Sequence, residues 1–90
     1  MSDGSGGNVY QAKIVINLRK SILDPQGKAV HHALESLGLM NVQDVRVGKY
    51  IEMNVESESP EDARRVTTEA CTKLLANPVM EDFSFTVERI

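Results

Sequence analysis

A single cysteine, Cys71, excludes an internal disulfide, and it leaves too few thiols for the multi-ligand sets at fixed spacing that zinc sites normally need. Tryptophan is absent and only two Tyr and two Phe are present, so a core must be built from Val, Ile, Leu, Met and Ala. There is no basic excess: 10 Lys and Arg stand against 13 Asp and Glu, a formal charge of -3. Such a chain has no field to gather phosphates, which argues against nucleic acid as a partner. No run approaches the roughly 18 to 20 apolar residues that span a bilayer, and no basic-then-apolar signal pattern opens the chain. No membrane association is expected, and the expected location is the cytoplasm.

What is present suffices for one small domain. The 90 residues are 41% hydrophobic and 26% charged, close to ordinary globular values. A domain of this size buries only about 60 to 65% of its unfolded surface, which favours stabilisation by a partner or by self-association. Residues 1–8 hold three of the six glycines and read as a flexible tail, leaving 9–90 as the single domain.

From Val9 to Leu18, strict alternation puts Tyr10, Ala12, Ile14, Ile16 and Leu18 on one face, which predicts a strand. Asp24-Pro25 then supplies a capping carboxylate and a residue pre-set for the first helical turn. Ala29, Val30, Ala33, Leu34 and Leu37 recur at helical spacing, and Gly38 supplies the stop. Between Val45 and Val55 the apolar residues fall on odd numbers, predicting one long strand bent or bulged at Gly48. Ser59-Pro60-Glu61-Asp62 repeats the capping pattern and starts a second helix, whose stripe is Ala63, Val66, Thr67, Ala70 and Leu74 and whose stop is Asn77-Pro78. Met80 to Ile90 alternates again and predicts the last strand. The fold class is therefore α+β: strand, helix, long bent strand, helix, strand, with two helices on one face of a small antiparallel or mixed sheet. The other face, with Lys13, Asn17, Arg46 and Tyr50, is expected to be more polar.

Chemistry-bearing residues are few. Cys71 lies in mid-helix, without the helix N-terminus or cationic neighbour that activates a thiolate, and reads as a half-buried structural residue. His31 and His32 are adjacent, point about 100° apart on a helix and read as surface histidines. Gly4-Ser5-Gly6-Gly7 lacks the flanking strand and helix of a phosphate loop. Glu81 and Asp82, as strand neighbours, face opposite sides. No catalytic residue and no metal ligand set is expected. Two polar clusters remain, Asp24-Pro25-Gln26-Gly27 and Asp44 to Tyr50. Gly27 in a first turn costs up to about 1 kcal/mol against alanine, which a close approach by another chain would explain.

Leu23-Asp24-Pro25-Gln26-Gly27, then VQDVRVGKYIE from Val42 to Glu52, then LLANPVMEDF from Leu74 to Phe83 together resemble the PurS family, the small subunit of phosphoribosylformylglycinamidine synthase (formylglycinamide ribonucleotide amidotransferase). The resemblance runs from about Val9 to Ile90. It implies a non-catalytic, self-associating subunit of an ATP-dependent ligase complex in de novo purine (IMP) synthesis, either a dimer or a tetramer. That subunit bridges a PurQ-type glutaminase to a PurL-type synthetase and supports ammonia transfer between them. No cofactor is implied for this subunit, and no activity alone; ATP and magnesium belong to the synthetase partner. Asp24, Pro25, Gln26 and Gly27 match the family's DPQG signature, and Arg46, Gly48, Lys49 and Tyr50 its RxGKY signature. Both become candidate partner-contact or structural signatures. The alternatives are a dimeric small-metabolite-binding regulatory domain and a stand-alone enzyme using Cys71 or the histidine pair.

Overall fold

A computed structural model describes residues 7–90. The tail expected over residues 1–8 lies outside the described residues except at its end, where Asn8 already belongs to the first strand. That strand, β1 (Asn8–Leu18), is central: it pairs antiparallel on one side with β2 (Lys49–Ser57) and on the other with β3 (Glu81–Arg89). Its alternation decides what the sheet covers. Tyr10, Ala12, Ile14 and Ile16 all point to one face and are buried, the last three completely. Each isoleucine so placed contributes about 1.5 to 3 kcal/mol by leaving water.

The second helix, α2 (Pro60–Ala70), lies on that face against all three strands. Its start follows the sequence grammar. Ser59 Oγ accepts from the Asp62 amide at 3.0 Å, Pro60 occupies the first turn, and Asp62 is held by Arg65 at 2.8 Å and by Ser57 Oγ at 2.9 Å. The Arg65 guanidinium and the Ser57 hydroxyl hold the Asp62 carboxyl below its ordinary range. Ala63 and Thr67 are fully buried, and Thr67 Oγ1 donates to the Ala63 carbonyl at 2.8 Å. After Ala70 the helix widens into one π turn, Cys71–Leu75. Cys71 is fully buried in the core beside Ala12, Ile14 and Ile16, rather than half-buried as its mid-helix position suggests.

Three features depart from the sequence reading. Helix α1 (Pro25–Ser36) has the predicted bounds, with Asp24 as cap and Gly38 at φ +86° beyond its end, but it does not lie on the sheet beside α2. It forms an arm whose return segment is 37–48, and the molecule measures 57 × 27 × 16 Å. The stripe of Ala29, Val30, Ala33 and Leu37 is therefore exposed, and Leu34 is only half-buried. Helical periodicity marks a face that is apolar; it does not say which surface covers it.

The second departure is the long strand. Strand pairing begins only at Lys49, opposite Ile16, and residues 42–48 pair with no strand. The backbone of this stretch has a different partner, because the Val47 amide donates to Asp24 Oδ2 at 2.8 Å. Third, Arg46 is not on the polar sheet face. Its guanidinium donates to the carbonyls of Arg19 at 2.8 Å and Ile22 at 3.0 Å.

Candidate functional site

The two signature stretches form one junction where the arm joins the sheet, with Asp24 meeting Val47 from 23 residues away in sequence. Asp24 is at its centre, 5% exposed. One carboxylate oxygen accepts from the Gly27 amide at 2.9 Å, the helix cap; the other accepts from the Val47 amide at 2.8 Å. These two N–H donors, and more weakly the Arg46 guanidinium, hold the Asp24 carboxyl below its ordinary range. An anion at the start of α1 also meets the positive end of the helix dipole.

Gly27 closes the same junction. A Cβ built there would collide with the Val45 carbonyl oxygen and come within 2.7 Å of Asp24 Oδ2. The close approach expected of another chain is thus made by this chain's own return segment. Gly48 plays the corresponding part on the sheet side: a Cβ there would lie 2.7 Å from the Ile16 carbonyl and against the Asn17 side chain.

The remaining signature residues are arranged around this lock. Pro25 and Gln26 are exposed in the first turn of α1. Lys49 pairs with Glu81 across the end of the sheet at 3.5 Å, the carboxylate being only 15% exposed. A cavity of about 230 Å³ opens between them, lined by Ile16, Asp24, Gln26, Val47, Gly48 and Lys49 among others. Tyr50 points to the opposite face and is 57% exposed, its hydroxyl donating to Glu52 Oε2 at 2.9 Å. That bond to a carboxylate raises the phenol above its ordinary value.

His31, read from sequence as a surface residue, fastens the arm to its return segment. Its Nε2 lies 2.7 Å from the Val42 carbonyl, which can only accept, so that nitrogen carries the proton; Glu35 is 3.8 Å away. His32 is exposed. The only signal in the sequence for the His31 contact was the helical phase it shares with Gly27 and Leu34. Burial pushes the Cys71 thiol up, away from the thiolate form that would make it a nucleophile. Among the described residues no three His, Cys, Asp or Glu side chains are grouped to hold a metal ion. Among the described residues no helix is long and apolar enough to cross a membrane.

Comparison with known proteins places this junction in a family. Residues 11–89 match the PurS family, described as phosphoribosylformylglycinamidine (FGAM) synthase. The chain is 48% identical to the phosphoribosylformylglycinamidine synthase subunit PurS of Bacillus subtilis over 91% of its own length and 96% of that protein. It superposes on the crystal structure of Methanocaldococcus jannaschii PurS, one of the subunits of formylglycinamide ribonucleotide amidotransferase in the purine biosynthetic pathway. The TM-score is 0.81, with 40% identity, covering 90% of this chain and 98% of that one. It likewise superposes on a chain of the Thermotoga maritima PurLQS structure, with a TM-score of 0.80 and 30% identity, covering 91% and 98%. With matches of this extent, and with a lock built from two of the three stretches that carry the resemblance, the chain belongs to the PurS family, the small subunit of phosphoribosylformylglycinamidine synthase in purine biosynthesis.

Proposed function

We propose that this chain bridges a PurQ-type glutaminase and a PurL-type ATP-dependent synthetase without performing chemistry itself, so that ammonia released by one partner reaches the other. The observation that carries this reading is its superposition over 91% of its length on a chain of the PurLQS assembly. The side chains support it. Asp24 and Arg46 are engaged by backbone groups where the arm meets the sheet, and Cys71 is buried among aliphatic residues. Gln26, Lys49 and Tyr50 remain at the surface as partner contacts. ATP and magnesium serve the synthetase partner. Self-association as a dimer or tetramer belongs to the same proposal, supported by the uncharged stripe of Gln26, Ala29, Val30, Ala33 and Leu37 that α1 leaves outside its own fold.

Purified synthetase and glutaminase are expected to form the amidine from glutamine efficiently only when this protein is added, with a larger complex appearing by light scattering. Ammonia-dependent synthesis at high ammonia is expected to persist without it. Equal loss of both activities on its omission would count against bridging. Cys71→Ser tests the enzymatic alternative. It is expected to cost about 1 to 3 kcal/mol of stability, because a hydroxyl replaces a thiol in an apolar site, and to leave glutamine-dependent synthesis by the assembled complex unchanged. Loss of synthesis with the fold intact would assign chemistry to this subunit.

A further inference from the structure

Resting on the bridging reading, we propose that the sheet face opposite α2 is a docking surface for one of the two partner subunits, centred on Tyr50 and Val15. The partner segment it fits presents an apolar side chain flanked by Lys or Arg.

The argument starts from Tyr50. Of the signature side chains, Asp24 and Arg46 are taken up by the junction and Lys49 by Glu81, but the fold gives Tyr50 no packing role. It is 57% exposed on a sheet face that no helix covers. The strand register places Tyr50, Val15 and Ser84 in one row across the three strands. Val15, also 40% exposed, is an apolar residue at the middle of an open face, where an antiparallel sheet normally turns polar residues to water. A shallow cavity of about 300 Å³ lies over this row, with Lys13, Ser84, Phe85 and Thr86 completing its walls. An apolar depression with a tyrosine wall is the form that the centre of a protein interface takes.

Charge fixes the partner's chemistry. On the next row lies Glu52 of β2, opposite Lys13, and one row further Glu88 of β3. Lys13 meets Glu88 at 3.9 Å, and among the described residues no cation lies within ion-pair distance of Glu52. The rim on the β2 side is therefore acidic, complementary to a basic rim on whatever covers the depression. Glu52 also holds the Tyr50 hydroxyl at 2.9 Å, which fixes the ring against the depression before docking and lowers the ordering cost of binding.

The test is the affinity of the full chain for each purified partner subunit, by titration at low and raised ionic strength, with light scattering of the free chain alongside. Tyr50→Ala is expected to weaken binding to one partner about thirtyfold, the loss typical of a central aromatic anchor. Val15→Lys, which puts a charge at the middle of the depression, is expected to abolish that binding. Glu52→Gln is expected to weaken it severalfold and to flatten its dependence on salt. All three positions are exposed enough that the thermal midpoint of the free chain should hold, and a melt of each variant checks this. Unaltered binding by Tyr50→Ala and Val15→Lys, with wild type binding normally, would overturn the docking surface and leave bridging intact. Partner affinity retained while the free chain loses self-association would overturn it too, by assigning the face to a second copy. Failure of the wild-type chain to bind either partner would remove the bridging reading and this surface with it.

Discussion

Gly27→Ala is expected to release α1 from its return segment while leaving the sheet folded. The added methyl would occupy the place of the Val45 carbonyl oxygen and press on Asp24 Oδ2 at 2.7 Å, so backbone has to move, not merely a flexible side chain. Elsewhere the substitution should be mildly favourable, because alanine is preferred over glycine within a helix by about 1 kcal/mol. The clash reverses the sign: overpacking against backbone costs about 1 to 3 kcal/mol. The cheapest relief is local. The arm has no substantial contact with the strands and is fastened by a handful of hydrogen bonds: Asp24 to Val47, His31 to Val42, and Arg46 to the carbonyls of Arg19 and Ile22. A helix of 12 residues has little stability of its own in water. Amide hydrogen exchange should therefore quicken at least tenfold over 25–48 while the protected amides of β1 keep their rates, since the two regions open with different free energies. Unchanged exchange over 25–48 would show that the return segment is not held where Gly27 places it. Uniform acceleration through β1 would show that arm and sheet unfold as one unit.

How much of this was legible in the sequence follows from the range of each interaction. The alternation of β1 and the cap and first turn of α2 involve neighbours a few residues apart, and both were read correctly. The cap half of Asp24 was legible for the same reason: the Gly27 amide is three residues away. Its other half was not, because nothing in the local pattern links Asp24 to Val47, 23 residues on. That hidden bond explains the error in the strand boundary. The odd-numbered positions from Val45 to Val55 are apolar except for Lys49, yet the backbone of Val45 and Val47 packs on the start of α1 and only the residues from Lys49 on pair with β1. The cost of Gly27 in a first turn is legible, but its cause, the Val45 carbonyl of the return segment rather than another chain, is not, because periodicity cannot show a chain folding back on itself. The exposed stripe of α1 is a related case. Its spacing is that of a core helix, and its position in the fold leaves it to be covered from outside. The signature residues were legible as a set, but the sequence could not separate those that build the junction from Tyr50, which does not.

Asp24→Asn tests the lock from the acceptor side. In the wild type both carboxylate oxygens accept backbone N–H bonds, from Gly27 at 2.9 Å and from Val47 at 2.8 Å. Asparagine offers one acceptor and one donor, so it can keep the helix cap but then turns its NH2 toward the Val47 amide, donor against donor. The expected result is a lower thermal midpoint at neutral pH and a shift of the Val47 amide resonance. The pH dependence follows from the direction of the pKa. The Gly27 and Val47 amides lower the folded value below the ordinary 3.8. A carboxylate with a depressed folded pKa contributes stability that is fully present above its unfolded value and is lost as pH falls through the folded one. Between neutral pH and about 4 the gap in midpoint between wild type and variant should therefore stay constant. Below that it should narrow as the wild-type carboxyl takes up a proton and gives up one of its two acceptor positions. Other depressed carboxylates, Asp62 and Glu69 among them, titrate in both proteins and drop out of the difference. In the wild type the Val47 and Gly27 amide resonances should titrate together with a midpoint below 3.8, and in Asp24→Asn neither should. A gap that is independent of pH down to the acid limb, or a Val47 resonance that ignores the substitution, would show that Asp24 is only a helix cap and that the two signature stretches are not tied through it.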